Sequence, residues 1–304
     1  MDLGMIGLGK MGAFMTERLV RGGHRVVGFD RDAAAVKRVA DKGAASADSL
    51  EKIVAQLKPP RAIWLMVPSG APVDQTIDAL TPHLAPGDTF IDGGNSNYKD
   101  SVRRAAALAQ KKFNFVDCGT SGGIWGLTEG YSMMVGGDAE VVKRLAPIFQ
   151  TLAPGPDKGW GRVGPAGSGH FVKMVHNGIE YGIMQAYAEG LDLLGHKKEF
   201  SLDLLQISKI WQFGSVIRSW LLDLTVDALA KNPKLEGIEA FVTDSGEGRW
   251  TVIEGVELGI PLPVISGALD ARFRSQDPQP FANKLLAMMR HEFGGHAVKT
   301  AAKK

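Results

Sequence analysis

The sequence predicts an α/β chain in two parts: a doubly wound parallel sheet over residues 1–164, then an all-helical domain over residues 165–304. Three observations lead there. A glycine-spaced turn follows the first apolar run, strand-like and helix-like segments alternate through residue 152, and after a turn-rich stretch at residues 153–167 only helical patterns remain.

The first apolar run, Leu3–Ile6, reads as a strand. It enters Gly7-Leu8-Gly9-Lys10-Met11-Gly12 and leaves through a helical run, Ala13–Leu19. Strands follow at Arg25–Phe29, Ala62–Val67, Thr89–Ile91, Phe115–Asp117 and Tyr131–Val135, separated by helices at Ala33–Lys42, Val73–Leu84, Lys99–Lys111 and Ala139–Phe149. This βαβα order predicts helices on both faces of a mainly parallel sheet. The turn formers Ala153-Pro154-Gly155-Pro156 and Gly164-Pro165-Ala166-Gly167 mark the change of rhythm. Helical patterns then cover residues 169–194, 202–217, 220–231, 250–257, 264–275 and 280–290, and the lysine-rich end after Ala297 is expected to be mobile.

Composition bounds the function. At 304 residues the chain has room for about two domains, with 44% hydrophobic residues to fill their cores. A net charge of +2 gives no electrostatic case for nucleic acid or an anionic membrane surface. No apolar run approaches the roughly 20 residues of a bilayer span, and the N-terminus lacks a basic segment followed by an apolar core and a small-residue cleavage site, so no secretion signal is expected. Cys118 is the single cysteine, expected to be a small buried residue, so neither an intrachain disulfide nor a cysteine metal site is expected. A cytoplasmic location is the expectation.

A strand, then Gly-x-Gly-x-x-Gly, then a helix suits a dinucleotide pyrophosphate. The first glycine makes the turn, the second lets backbone approach phosphate, the third lets helix pack on strand, and the helix N-terminus faces the anion. That makes Gly7 through Gly12 candidate cofactor residues in a Rossmann-type sheet. Asp30 closes the second strand 18 residues past Gly12, placed to accept from both ribose hydroxyls and to repel a 2′-phosphate. Arg31 would attract that phosphate, but Asp32 follows it, so NAD is favoured and NADP is second choice. Ligands bind outside the carboxyl ends of such strands, which adds Val67-Pro68-Ser69 and Asp92-Gly93-Gly94-Asn95 as site loops.

The densest chemistry lies in the first helix of the second part. Lys173, His176, Asn177, Glu180 and Tyr181 are spaced 0, 3, 4, 7 and 8, which puts all five on one helical face. A solvated stripe would be built from Lys, Glu and Gln. Gly178 and Gly182 each cost about 1 kcal/mol against alanine, so close approach of a backbone or ligand is expected there. A lysine serves as a general base when burial or neighbouring cations favour its neutral form, and a glutamate in an apolar pocket serves as an acid; one of each on one face can move protons at two steps of a reaction.

These residues resemble the 6-phosphogluconate dehydrogenase family, decarboxylating enzymes within the β-hydroxyacid dehydrogenase superfamily. The resemblance runs through Gly7–Gly12, Asp92-Gly93-Gly94-Asn95-Ser96, Gly119-Thr120-Ser121-Gly122-Gly123, Lys173 through Tyr181, Ala271-Arg272-Phe273 and Arg290 through His296. It implies oxidative decarboxylation of 6-phosphogluconate to ribulose 5-phosphate. Lys173 would take the C3 hydroxyl proton as hydride leaves, and Glu180 would protonate C1 of the enediol left after carbon dioxide departs. Asn95, Ser121, Gly122, Gly123, His176 and Asn177 would hold carboxylate and hydroxyls. Tyr181, Arg272 and Arg290 would hold the phosphate, with His296 reaching the substrate. No metal is implied. The Arg-to-His tail would enter from a partner subunit, so a homo-oligomer, dimer or tetramer, is implied.

There are departures from the pattern. The chain resembles the short form of the family. The long forms carry Lys-Gly-Thr-Gly-Lys-Trp, with phosphate on the first lysine, where this chain has Ser245-Gly246-Glu247-Gly248-Arg249-Trp250. Arg249 and Lys209 are the two candidates for compensating. Asp30-Arg31-Asp32 stands where the family's NADP-reading Asn-Arg-Thr would be. The rival reading is a non-decarboxylating β-hydroxyacid dehydrogenase acting on a small unphosphorylated acid, which would need neither Glu180, Arg272 nor Arg290. A non-catalytic dinucleotide sensor would tolerate loss of Lys173.

Overall fold

The computed structural model describes residues 1–300. Residues 301–304, the last part of the end expected to be mobile, lie outside the described residues. The chain divides into two compact units, one ending at Asn177 and one starting at Gly178.

The first unit alternates β1 (Asp2–Ile6), α1 (Lys10–Arg21), β2 (Arg25–Phe29), α2 (Ala33–Ala40), β3 (Ala45–Ser46), α3 (Leu50–Ala55), β4 (Ala62–Leu65), α4 (Ala71–Leu80), β5 (Thr89–Asp92), α5 (Tyr98–Gln110) and β6 (Asn114–Ser121). It continues with α6 (Gly126–Glu129), β7 (Ser132–Gly136), α7 (Ala139–Leu152) and β8 (Trp160–Gly164). The sheet order is β3-β2-β1-β4-β5-β6-β7-β8. All neighbours pair in parallel except β6 and β7.

The two sides of the sheet follow from strand alternation. Leu3, Met5, Trp64, Ile91, Val116 and Cys118 join one apolar layer with residues of α1, α2 and α7. Ile6, Ile63, Leu65, Phe90 and Phe115 join the other with residues of α3, α4 and α5. Strands buried on both faces read as continuous apolar runs, which is why most were visible in the sequence. Cys118 is fully buried, and that burial pushes its thiol up to about 12.

Four elements escaped the sequence reading. β3 is two residues long, α3 six and α6 four, too short for a period to show. β8, Trp-Gly-Arg-Val-Gly, falls inside the stretch read as turn-rich, because an edge strand with two glycines carries little β signature.

The second unit is all helix among the described residues. α8 (Ser168–His196) begins in the first unit and continues into it, followed by α9 (Leu204–Trp211), α10 (Trp220–Lys231), α11 (Glu247–Leu258), α12 (Pro263–Gln276) and α13 (Phe281–Gly294). The helix expected over 202–217 stops at Trp211; Gly214, at φ +71°, adopts the left-handed conformation that an α-helix excludes. The unit's buried apolar cluster is small, formed by Tyr181, Ala268 and Leu269.

Candidate functional site

Strand order reverses between β1 and β4, and a cavity of about 750 Å³ opens there, outside their carboxyl ends. The glycine turn lines it. A Cβ on Gly7 would stand 2.4 Å from the Met66 carbonyl oxygen, and one on Gly12 would stand 2.0 Å from that of Gly7. Both glycines are therefore demanded by packing. A Cβ on Gly9 would meet nothing within 4 Å. The open cradle at Gly9 is the space an approaching phosphate needs. Helix α1 starts at Lys10 with no side-chain cap and no acid in its first turn, so its N-terminal amides are available to an anion.

Lys10, Met11, Asp30, Arg31, Val67, Pro68 and Asn95 line the same cavity. Leu8 is different: its side chain is buried in the core, and its amide donates to Asp30 Oδ2 at 2.6 Å. Asp30 Oδ1 accepts from the Asp32 amide at 2.9 Å, so one carboxylate ties the glycine turn to the end of β2.

The loop after β5 is held from beneath. Asp92, fully buried, accepts from the Gly94 amide at 3.0 Å, the Ser96 hydroxyl at 2.8 Å and Arg104 Nη1 at 3.2 Å. Arg104 also grips Asp74 with Nε at 2.8 Å and Nη2 at 3.1 Å. With Arg103 adding a second contact, this holds the Asp74 carboxyl down at about 2. Asn95 then projects toward β6 from a left-handed backbone, φ +53°, a conformation asparagine tolerates. Its amide spans one residue: Oδ1 accepts from the Thr120 amide at 2.8 Å and Nδ2 donates to the Thr120 carbonyl at 3.1 Å. Ser121 ends β6, and Gly122 and Gly123 turn the chain with φ +132° and +50°.

Helix α8 is positioned by β6. The carboxylate of Asp117, fully buried, accepts from the Gly167 amide at 2.6 Å and the His170 amide at 2.8 Å, capping the helix start. Two glycines let helix and sheet touch. A Cβ on Gly169 would stand 2.5 Å from the Met134 carbonyl oxygen, and one on Gly119 would stand 2.4 Å from the Lys173 Cβ. Lys173 is thereby buried, with Nζ 2.5 Å from Asn177 Oδ1 and 3.3 Å from His176 Nδ1. The sequence reading missed Asp117 as a positioning residue; it registered only as the end of a strand.

Glu180 and Tyr181 follow on the same unbroken helix. Seven residues separate Lys173 from Glu180, an axial rise of about 10 Å with nearly the same facing. The helix glycines serve packing within the second unit. A Cβ on Gly178 would lie 2.7 Å from Thr251 Cγ2, and one on Gly182 would lie 3.2 Å from Val264 Cγ1. Tyr181 is buried, its hydroxyl 3.2 Å from Ser245 Oγ, and the Arg272 guanidinium lies 3.4 Å over its ring.

The tail residues are not gathered with these. Arg290 is exposed on α13, and His296 packs on Phe293, its carbonyl 3.0 Å from His291 Nδ1. Among the described residues no group of three or more His, Cys, Asp or Glu is placed to hold a metal ion. No helix among them is long and apolar enough to cross a membrane.

Residues 2–162 match the family model for the NAD binding domain of 6-phosphogluconate dehydrogenase, and residues 169–300 match that for its C-terminal domain. The NAD(+)-dependent, decarboxylating 6-phosphogluconate dehydrogenase of Haloferax volcanii is 46% identical over 299 residues, covering 98% of each chain. The decarboxylating 6-phosphogluconate dehydrogenase of Haemophilus influenzae is 40% identical over 93% of this chain, which spans 62% of that longer protein. Among solved structures, 6-phosphogluconate dehydrogenase of Plasmodium falciparum, studied apo, with its cofactor NADP+ and with its substrate, matches at a TM-score of 0.84 and 29% identity. That match covers 100% of this chain and 67% of the other.

Proposed function

The chain belongs to the 6-phosphogluconate dehydrogenase family, and from that premise we propose that it converts 6-phosphogluconate to ribulose 5-phosphate and carbon dioxide with NAD. One observation carries the chemistry: a buried lysine, bonded to Asn177 and His176, stands two turns before a glutamate on one continuous helix.

The cavity at the strand-order reversal fits the dinucleotide, since Gly9 leaves the space and α1 supplies uncapped amides. Gly7 through Gly12 would hold the pyrophosphate, Asp30 and Arg31 the adenosine ribose, and Val67, Pro68 and Asn95 the far end. Held there, NAD would supply the acceptor for the C3 hydride. Asp30 favours NAD over NADP by repelling a 2′-phosphate.

In this reading Lys173 takes the C3 hydroxyl proton during oxidation. Its ammonium then donates to the new carbonyl oxygen, which draws in the electrons of the breaking C1–C2 bond as carbon dioxide leaves. Glu180 delivers a proton to the enediol carbon that lost carbon dioxide, C2 of the substrate and C1 of the product. Asn95, Ser121, Gly122, Gly123, His176 and Asn177 hold the carboxylate and hydroxyls. Tyr181, Arg272 and Arg290 hold the phosphate, and His296 closes on the substrate. Mixing protein, 6-phosphogluconate and NAD tests this: reduced cofactor and carbon dioxide should appear in equal amounts. Reduced cofactor without carbon dioxide would favour the non-decarboxylating alternative. Lys173→Met should lower turnover by about 10²- to 10⁴-fold, the usual span for a general base, with NAD affinity unchanged.

A homo-oligomer, dimer or tetramer, belongs to the same proposal. α13 buries none of its residues, although Phe281 and Phe293 are 75% and 78% exposed. A second copy of the chain would cover them and bring Arg290 and His296 to its site. A monomer in sedimentation at micromolar concentration would overturn this. Cys118, a free buried thiol, suits the reducing cytoplasm, and recovery of the native protein in a secreted fraction would overturn that placement.

A further inference from the structure

A second guanidinium, that of Arg249, sits at the loop that Arg272 bonds, and the proposed chemistry gives it no role. Arg272 Nη1 donates to the Thr243 carbonyl at 2.7 Å while its guanidinium covers the Tyr181 ring. At the next residue, the Asp244 carboxylate accepts from Arg249 Nη2 at 2.7 Å. The Arg249 guanidinium also lies 5.0 Å over the ring of Phe273, the residue after Arg272. Two planar cations are thus pinned to consecutive residues of one loop and stacked on two aromatic rings. Ser245, in that loop, shares a hydrogen bond with the Tyr181 hydroxyl through its amide at 3.1 Å.

The charge balance calls for both cations. A phosphate monoester carries close to two negative charges near neutrality. The loop contributes two acids of its own: Asp244, with a side chain only 7% exposed, and Glu247 in the first turn of α11. Arg272 and Arg290, the two arginines already assigned to the phosphate, do not offset that. Arg249 is 53% exposed in its side chain, and its bond to Asp244 uses one donor of a five-donor fork. Lys209, by contrast, lies in the last turn of α9, an element packed on α10.

We infer that Arg249 binds the phosphoryl group of the substrate beside Arg272 and thereby sets the preference for a phosphorylated over an unphosphorylated sugar acid. The inference rests on the function proposed above. The full chain is assayed with 6-phosphogluconate and, separately, with gluconate. Arg249→Gln should raise KM for 6-phosphogluconate by about 10- to 100-fold, the range for losing a charged hydrogen bond, while KM for NAD and kcat/KM for gluconate stay unchanged. Ser245→Lys in that background should recover much of the loss by restoring a cation. Arg249→Lys, which keeps the charge, should raise KM only a few-fold, and this variant serves if Arg249→Gln does not fold. Lys209→Gln should change nothing. Equal losses on both substrates, no loss on either, or a loss that follows Lys209 would overturn the inference. A wild-type chain inert toward 6-phosphogluconate would instead overturn the proposed function.

Discussion

Asp117→Asn isolates what the buried carboxylate does for α8. The substitution keeps the shape but turns one oxygen into an NH₂ group. Both oxygens now accept backbone amides, from Gly167 at 2.6 Å and His170 at 2.8 Å, so one amide would face a donor. A buried donor left unsatisfied costs about 1–3 kcal/mol. Losing a full negative charge at a helix N-terminus adds about 1 kcal/mol, so the total is about 3 kcal/mol. At about 2–4 °C per kcal/mol for a chain of this class, the melting temperature should fall by about 6–12 °C. Lys173 is one turn beyond His170, so its ammonium should shift as well. A misplacement of about 1 Å can cost roughly 100-fold, and kcat should drop on that scale. Thermal melts and steady-state rates read both effects. A melt shifted by less than about 2 °C, the size of an ordinary surface change, together with unchanged kcat would refute the positioning role.

Other predictions follow from the same geometry. Gly9→Ala should leave stability nearly intact but weaken NAD binding by about tenfold or more, because the methyl enters the open cradle, whereas Gly12→Ala, with its Cβ 2.0 Å from a carbonyl oxygen, should cost about 3 kcal/mol and yield little folded chain. Asp30→Ser should move the ratio of NAD to NADP specificity toward NADP by about tenfold; a static ratio would mean that another residue reads the ribose. The Asp74 carboxyl is depressed from 3.8 to about 2, so its ion pair stabilises the fold above pH 4 and that support is lost as pH falls through about 2. Screening of a side chain 34% exposed limits the effect to about 1 kcal/mol, and Asp74→Asn should flatten the acid limb of a stability-versus-pH curve by that amount.

Much of this was legible in the residues alone. The sheet strands showed because burial on both faces forces apolar runs, and the glycine turn showed because its spacing answers three separate steric demands. The polar face of α8 showed because Lys, His, Asn and Glu together make a poor solvated stripe. What stayed hidden depends on which segments meet. Asp117 is an ordinary strand-end acid until the start of α8 is seen resting on it. Arg249 is one of two candidate cations until Phe273 and Asp244 are seen around it. Gly178 and Gly182 signalled close approach of a backbone or ligand, but the fold puts the side chains of Thr251 and Val264 there instead.

The unbroken run of α8 from Lys173 to Glu180 has a consequence for how this chain can vary. In the proposed chemistry the helix would act as a ruler between the two proton-transfer groups. Adding or removing one residue inside that interval would swing Glu180 about 100° around the axis and out of line with the lysine. The surrounding loops can lengthen or shrink over generations, but this seven-residue interval should hold its length.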